Sequence, residues 1–191
     1  MHNPRRNPKG RPLDSERTER EPSPLNPEKA RDRTFQRAVK LLSTKPRSVA
    51  ELRGRLLEKR WTNAEIVEAV LTKLSEYGYL NDEQFAFGYA SYRIRQKPLG
   101  RRRLQRDLQL KKVDSETAEE ALRLVFEETP EEVLVDRAIE KRTRLRGMPR
   151  TRVEAKSLFD HLLRRGFRYE LIAQKVRAAS EARVDEEDAE E

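Results

Sequence analysis

The chain has 191 residues, 35% of them apolar and 40% charged, with a net charge of +8. It contains no cysteine, which excludes disulfides, thiolate metal sites and cysteine nucleophiles. No apolar run approaches the ~18 residues of a membrane span, and the basic N-terminus lacks the apolar stretch of a secretory signal, so the sequence reads as cytoplasmic with no membrane partner.

Residues 1–33 hold six of the ten prolines, nine Lys/Arg, six Asp/Glu and only three apolar residues after Met1. So little apolar surface cannot offset the entropy of ordering, and a disordered tail is expected. The opposite end, 181–191, carries seven acids and one arginine. It reads as a solubilising acidic tail, with a fold-back onto a basic body as the alternative. The tails have net charges of +3 and −6, so the middle carries +11. A body this basic meets a polyanion or an acidic protein surface.

From Thr34 onward, apolar residues recur at spacings of three and four, which predicts helices throughout. The first unit, 34–80, is expected to hold helices near 34–43, 49–60 and 63–77. The second, 81–129, holds helices near 82–96, 101–112 and 115–127. The third, 130–180, holds helices near 130–146, 152–165 and 169–180. Capping-box patterns open several of them: Ser48-x-x-Glu51, Thr62-x-x-Glu65, Asn81-x-x-Gln84, Thr129-Pro130-x-Glu132 and Thr151-x-x-Glu154. Gly78, Gly147 and Gly166 stand where helices should stop in a left-handed conformation.

The three units repeat one pattern. Leu52, Leu56, Lys59, Arg60, Trp61, Ile66 and Val70 fall in register with Leu104, Leu108, Lys111, Lys112, Val113, Ala118 and Leu122. Both sets fall in register with Leu158, Leu162, Arg165, Gly166, Phe167, Ile172 and Val176, at offsets of 52 and 54. The fold class is therefore all-α: three tandem three-helix, helix-turn-helix-like repeats in an elongated curved array. Leu52, Leu56, Ile66, Val70 and Leu74 are the expected first core. Leu104, Leu108, Leu122, Val125 and Phe126 are the second, and Leu158, Leu162, Ile172 and Val176 the third. Trp61, Val113 and Phe167 read as plugs at equivalent turns. Phe85, Tyr89 and Tyr92 share one helix face and read as packing rather than base-stacking residues.

At the first junction the chain reads Gly78-Tyr79-Leu80-Asn81-Asp82, followed by Phe85-Ala86. Physically this is a helix stop, an apolar staple and a new N-cap. It also resembles the hallmark segment of the RecX family of bacterial recombination regulators. Arg47-Ser48-x-x-Glu51-Leu52-x-x-x-Leu56 is similar to that family's first-repeat signature, and Leu99-Gly100-x-x-x-Leu104-x-x-x-Leu108 to its second. The resemblance covers roughly Thr34 to Ser180. One departure stands out: Arg60 and Lys112 occupy positions where the family often has glycine, which only Gly166 retains. The resemblance implies a modulator of the RecA recombinase, and a monomer is expected. It would lie in the groove of the recombinase filament on single-stranded DNA, and limit filament growth, ATP hydrolysis and strand exchange.

The densest basic stretch holds Arg93, Arg95, Lys97, Arg101, Arg102, Arg103, Arg106, Lys111 and Lys112 against the single acid Asp107. A second holds Lys141, Arg142, Arg144, Arg146, Arg150 and Arg152 with no acid between them. By repeat register both surround equivalent turns, which places them on one edge of the array as candidate contacts for phosphates or for carboxylates of the filament; the plainer alternative is solvated helix faces. Arg164, Arg165 and Arg168 are a weaker group, accounted for by a cationic helix end. If Arg101, Arg102, Arg103, Lys111 and Lys112 each neutralised one single-strand phosphate, the log–log salt slope of binding would be about −3.5.

Catalysis finds no support. His2 falls in the expected tail, His161 stands on an amphipathic helix without a metal-sharing neighbour, and no P-loop occurs. The chain is expected to be no enzyme and to need no cofactor or metal. The rival readings are a free-standing helix-turn-helix DNA-binding protein and a helical-repeat RNA-binding protein.

Overall fold

A computed structural model describes residues 26–189, with side chains as far as Ala179. The described residues are helical, as the spacing predicted, and no strand occurs among them. The first unit comprises α1 (Pro27–Thr44), α2 (Val49–Leu57) and α3 (Ala64–Glu76). The second comprises α4 (Asp82–Gln96), α5 (Arg101–Leu110) and α6 (Ser115–Glu128), and the third α7 (Glu131–Arg146), α8 (Arg152–Arg164) and α9 (Tyr169–Ala189). Each helix packs chiefly on the other two of its own unit.

Two helices run past the ends expected from the sequence. Pro27–Arg33 belongs to α1 rather than to a disordered tail. Pro27 is the first helical residue, where its missing N–H has no helical role, and Asn26 caps the helix by accepting from Glu28 N at 2.9 Å. Ala30 and Thr34 then bury one face, with Thr34 Oγ1 3.0 Å from Thr62 Oγ1. At the other end, α9 continues to Ala189, into the stretch expected to be a tail. The expected disorder of 1–25 lies outside the described residues.

Capping departs in two places. Asn63, not Thr62, caps α3, its Oδ1 accepting from Ile66 N at 2.9 Å. Pro130 stands before α7, not inside it, and no side chain caps that end. Among the described residues the reciprocal capping box forms only at Thr151 and Glu154, where α8 begins. Gly78, Gly147 and Gly166 do adopt positive φ, but Gly147, at ψ 168°, is extended rather than left-handed helical.

The apolar positions assigned to the three cores are buried, except that Phe126 is half-buried under the Arg101 guanidinium. Units two and three share a single core, whereas unit one keeps its own around Leu52, Leu56, Leu71 and Leu74. Small residues on α4 and α6 (Ala86, Ala90, Ala118 and Ala121) let those two helices approach closely. Val113 and Phe167 are buried plugs; Trp61 is half-buried, with Arg33 and Lys59 beside its ring. Phe85 stacks on Tyr89 with centroids 6.0 Å apart, while Tyr92 is exposed.

The turns lacking the family glycine resolve differently. Lys112 takes the left-handed conformation regardless, at φ 59°, whereas α2 simply stops at Leu57 and Arg60 stays at negative φ. A left-handed side-chain-bearing residue costs about 1–2 kcal/mol, some of which glycine's greater freedom in the unfolded chain cancels. Lys112→Gly is therefore expected to stabilise the fold by about 0.5–1 kcal/mol and raise Tm by a few degrees in a thermal melt.

One joint is built twice. At the first, α2 meets the far end of α5: Ser48 Oγ donates to the Lys111 carbonyl, and Val49 N donates to Asp82 Oδ1 at 2.8 Å. At the second, α5 meets the far end of α8: Gly100 N donates to the Arg165 carbonyl at 3.0 Å and Arg102 N to the Gly166 carbonyl at 3.2 Å. Arg101 N there donates to Glu131 Oε1 at 3.0 Å. In both, polar groups at the start of one unit's second helix are satisfied by the next unit, through the opening carboxylate of its first helix and the last carbonyls of its second. The start of each second helix faces the carbonyl end of the next unit's second helix, where the dipoles are favourably opposed. The Asp82 or Glu131 carboxylate screens that start from the N-terminus of the next unit's first helix. At the start of α8 the chain supplies its own capping box, Thr151 with Glu154.

Candidate phosphate and filament interface

The first basic stretch is largely consumed by its own unit. Arg93 Nη2 donates to Asp107 Oδ2 at 2.8 Å and Arg103 Nε to Asp107 Oδ1 at 3.1 Å, so the buried carboxylate is clamped from two helices. Arg101 lies 5.3 Å over the Phe126 ring, and Lys111 pairs with Glu51 at 3.5 Å. Exposed and without a carboxylate partner among the described residues are Arg95, Lys97, Arg102, Arg106 and Lys112. Asp107 is the residue that sequence spacing undervalued. Its i,i+4 relation to Arg103 was visible, but the reach from Arg93 on another helix was not.

In the second stretch, Arg144 pairs with Glu140, while Lys141, Arg146, Arg150 and Arg152 are exposed without a carboxylate partner among the described residues. Arg142 is half-buried and donates from Nη2 to Ser157 Oγ at 3.0 Å. Opposite it stand His161, on α8, and Arg165, at the C-cap of α8. Arg165 Nε donates to His161 Nε2 at 3.1 Å, and Arg165 Nη1 to the Pro98 carbonyl at 3.1 Å. Arg165 thus ties the turn after α4, within the first basic stretch, to the groove between α7 and α8, within the second. Arg168 serves structure: it pairs with Glu131 and Glu132 across the second joint.

The groove is electropositive enough to perturb its own members. Burial, then the neighbouring Arg165, Arg142, Arg164 and Arg146, push His161 down to about 4, so it is neutral at physiological pH and free to accept from Arg165. Burial, then Arg146, Arg164 and Arg165, also lower the Arg142 guanidinium from its usual range. At the first joint, desolvation raises Asp82 above the usual carboxylate range, with Asp114 adding to it and the Val49 N–H opposing it.

The junction residues Gly78 to Ala86 do not converge on a ligand. Gly78 ends α3, Leu80 and Ala86 are buried, Asn81 caps α4, Asp82 brackets α2, Phe85 stacks on Tyr89, and Tyr79 is exposed. Among the described residues no His, Cys, Asp or Glu cluster of metal-binding geometry occurs, and no helix is long and apolar enough to cross a membrane.

Comparison with known proteins accords with the repeat. Residues 35–74 match the model of the first three-helix domain of RecX, and 81–122 the model of its second. A regulatory protein RecX of Prosthecochloris aestuarii is 33% identical over 142 residues, spanning 74% of this chain and 90% of that one. A regulatory protein RecX of Bacillus velezensis is 38% identical over 103 residues, but these span only 53% of this chain and 39% of that protein. The crystal structure of RecX from Lactobacillus salivarius superposes with a TM-score of 0.70 at 19% identity, covering 81% of this chain and 99% of that one. That likeness speaks for the fold, including the region beyond residue 122.

Proposed function

Since the chain belongs to the RecX family of regulatory proteins, we propose that it regulates recombination by binding the RecA filament on single-stranded DNA. There it restrains filament growth, ATP hydrolysis and strand exchange. The observation that carries this reading is the set of exposed cations left without internal partners, Arg102 and Arg106 on α5 and Lys141 and Arg146 on α7, on repeats locked by backbone joints. A rigid array of separated cations suits a repeating anionic partner better than a single pocket does. The reading is of a binding protein that performs no chemistry of its own and works as a monomer.

The test is recombinase-dependent ATP hydrolysis and strand exchange on single-stranded DNA, with increasing amounts of this protein. Both rates are expected to fall to a plateau as the protein saturates the filament. Unchanged rates at saturation would sink the proposal. A footprint on specific duplex DNA without recombinase would favour operator binding instead.

A further inference from the structure

Between α7 and α8 lies a cavity of about 90 Å³, walled by Lys141, Arg142, Leu145, Arg146, His161 and Arg165. It is about three water volumes in size, room for one phosphate tetrahedron. A wider cavity of about 390 Å³ adjoins it, sharing Arg142 and Arg146 and walled on its other side by Met148, Pro149 and Leu158 together with Ser157 and the Glu154 carboxylate.

The charge of the small cavity is not neutralised from within. No carboxylate among the described residues pairs with Arg142, Arg146, Arg164 or Arg165. Nearby acids are committed elsewhere: Glu140 to Arg144, and Glu154 to the backbone of Arg150 and Thr151. Asp160, on α8 itself, forms no ion pair among the described residues. The donors are nevertheless held in place, Arg142 by Ser157 and Arg165 by both His161 and the Pro98 carbonyl. Donors fixed before binding lose little freedom when a ligand arrives. Because His161 accepts through Nε2, its neutral form carries its proton on Nδ1 and adds a donor.

We propose that this cavity seats one phosphate group, held by Arg142, Arg146 and Arg165, with the rest of the nucleotide lying along Met148 and Pro149 in the wider cavity. The phosphate belongs either to a nucleic-acid strand or to a free nucleotide. In the first case the site deepens the reading above by naming where the strand is gripped. Guanidinium groups favour phosphate oxygens through paired N–H donors. The mixed wall beside them, Met148 and Pro149 with the Ser157 hydroxyl and the Glu154 carboxylate, suits a sugar or base edge rather than a second anion.

The chain has only two histidines, His2 and His161, so the imidazole of His161 is a resolvable reporter inside the site. The groups facing it are Arg142, Arg146 and Lys141 from α7, Arg164 from α8 and Arg165 at its C-cap. The experiment follows the His161 ring by NMR on the full chain from about pH 4.5 to 8, alone, with a short oligothymidylate, or with inorganic triphosphate. Alone, His161 is expected to stay neutral across most of this range. A bound phosphate at hydrogen-bond distance should raise its titration midpoint by about one pH unit or more, leaving His2 unmoved. Arg142→Gln should raise the midpoint of the free protein and abolish the further rise on adding ligand. A rise with the oligonucleotide alone assigns the site to a strand; a rise with triphosphate too assigns it to phosphate in either form. No movement of His161 with either ligand overturns the proposal, and does so even if the protein still restrains the recombinase.

Discussion

Gly166→Ala is expected to cost about 3–5 kcal/mol, near the top of the range for single substitutions, and to lower Tm by roughly 10 °C. Two independent penalties meet there. The backbone is left-handed at φ 84°, which costs a β-carbon about 1–2 kcal/mol. The added carbon would also lie 2.3 Å from Arg103 N and 2.5 Å from its Cβ, on a helix of another unit. Neither neighbour is a flexible tip that can swing aside, so the joint between α5 and α8 must open. Opening it strands the amides of Gly100 and Arg102 that now donate to the Arg165 and Gly166 carbonyls, inside a core that units two and three share. Gly100→Ala tests the same joint from its other side. Its β-carbon would lie 2.3 Å from the Gly166 carbonyl oxygen, without a left-handed backbone, and about 2–3 kcal/mol is expected. Gly147→Ala is the control: at φ 76° and ψ 168° its backbone is one that essentially only glycine adopts, but nothing lies within 4 Å, so only a backbone penalty of about 1–3 kcal/mol applies. Urea denaturation of the three variants decides the matter. If Gly166→Ala and Gly147→Ala cost the same, the close approach contributes nothing.

This joint shows where reading the sequence stops. The threefold register was legible because each unit writes its apolar spacing locally, and every leucine it placed inside is inside. Gly166 was legible as a helix stop, because a stop is also local. That it faces Gly100 was not, since nothing in either neighbourhood names a partner 66 positions away. The same holds for Asp82. The sequence marks it as the residue after an N-cap, and only the fold shows it reaching back to Val49. Glu131 has the equivalent role in the following unit, with Arg168 added to hold it. The early start of α1 was missed for another reason. Asn26-Pro27 is a sound N-cap followed by a first-turn proline, but the surrounding proline and charge made the whole stretch look unable to fold.

The basic stretches changed most between sequence and structure, and they set the prediction with the largest functional effect. Counting charges ranks Arg93 to Lys112 first and treats its members alike. The fold divides them. Arg93 and Arg103 hold a buried carboxylate, Arg101 covers a ring and Lys111 crosses to unit one. A cation already paired releases few counterions from a strand, because binding would first have to break the pair. Replacing Arg102, Arg106, Arg142 and Arg146 by Gln is therefore expected to flatten the log–log salt slope for single-stranded DNA by about 2.1, at about 0.7 per phosphate with Arg142 and Arg146 sharing one. At 0.1 M salt that corresponds to binding weaker by a factor on the order of 10². Replacing Arg93 and Arg103 instead should leave the slope nearly unchanged and appear in denaturation, because Asp107 would then be buried without its partners, at about 2–3 kcal/mol. Equal loss of slope in the two sets would mean that the internal pairs open on binding, and that the stretch acts as the undivided run of charge its sequence suggests.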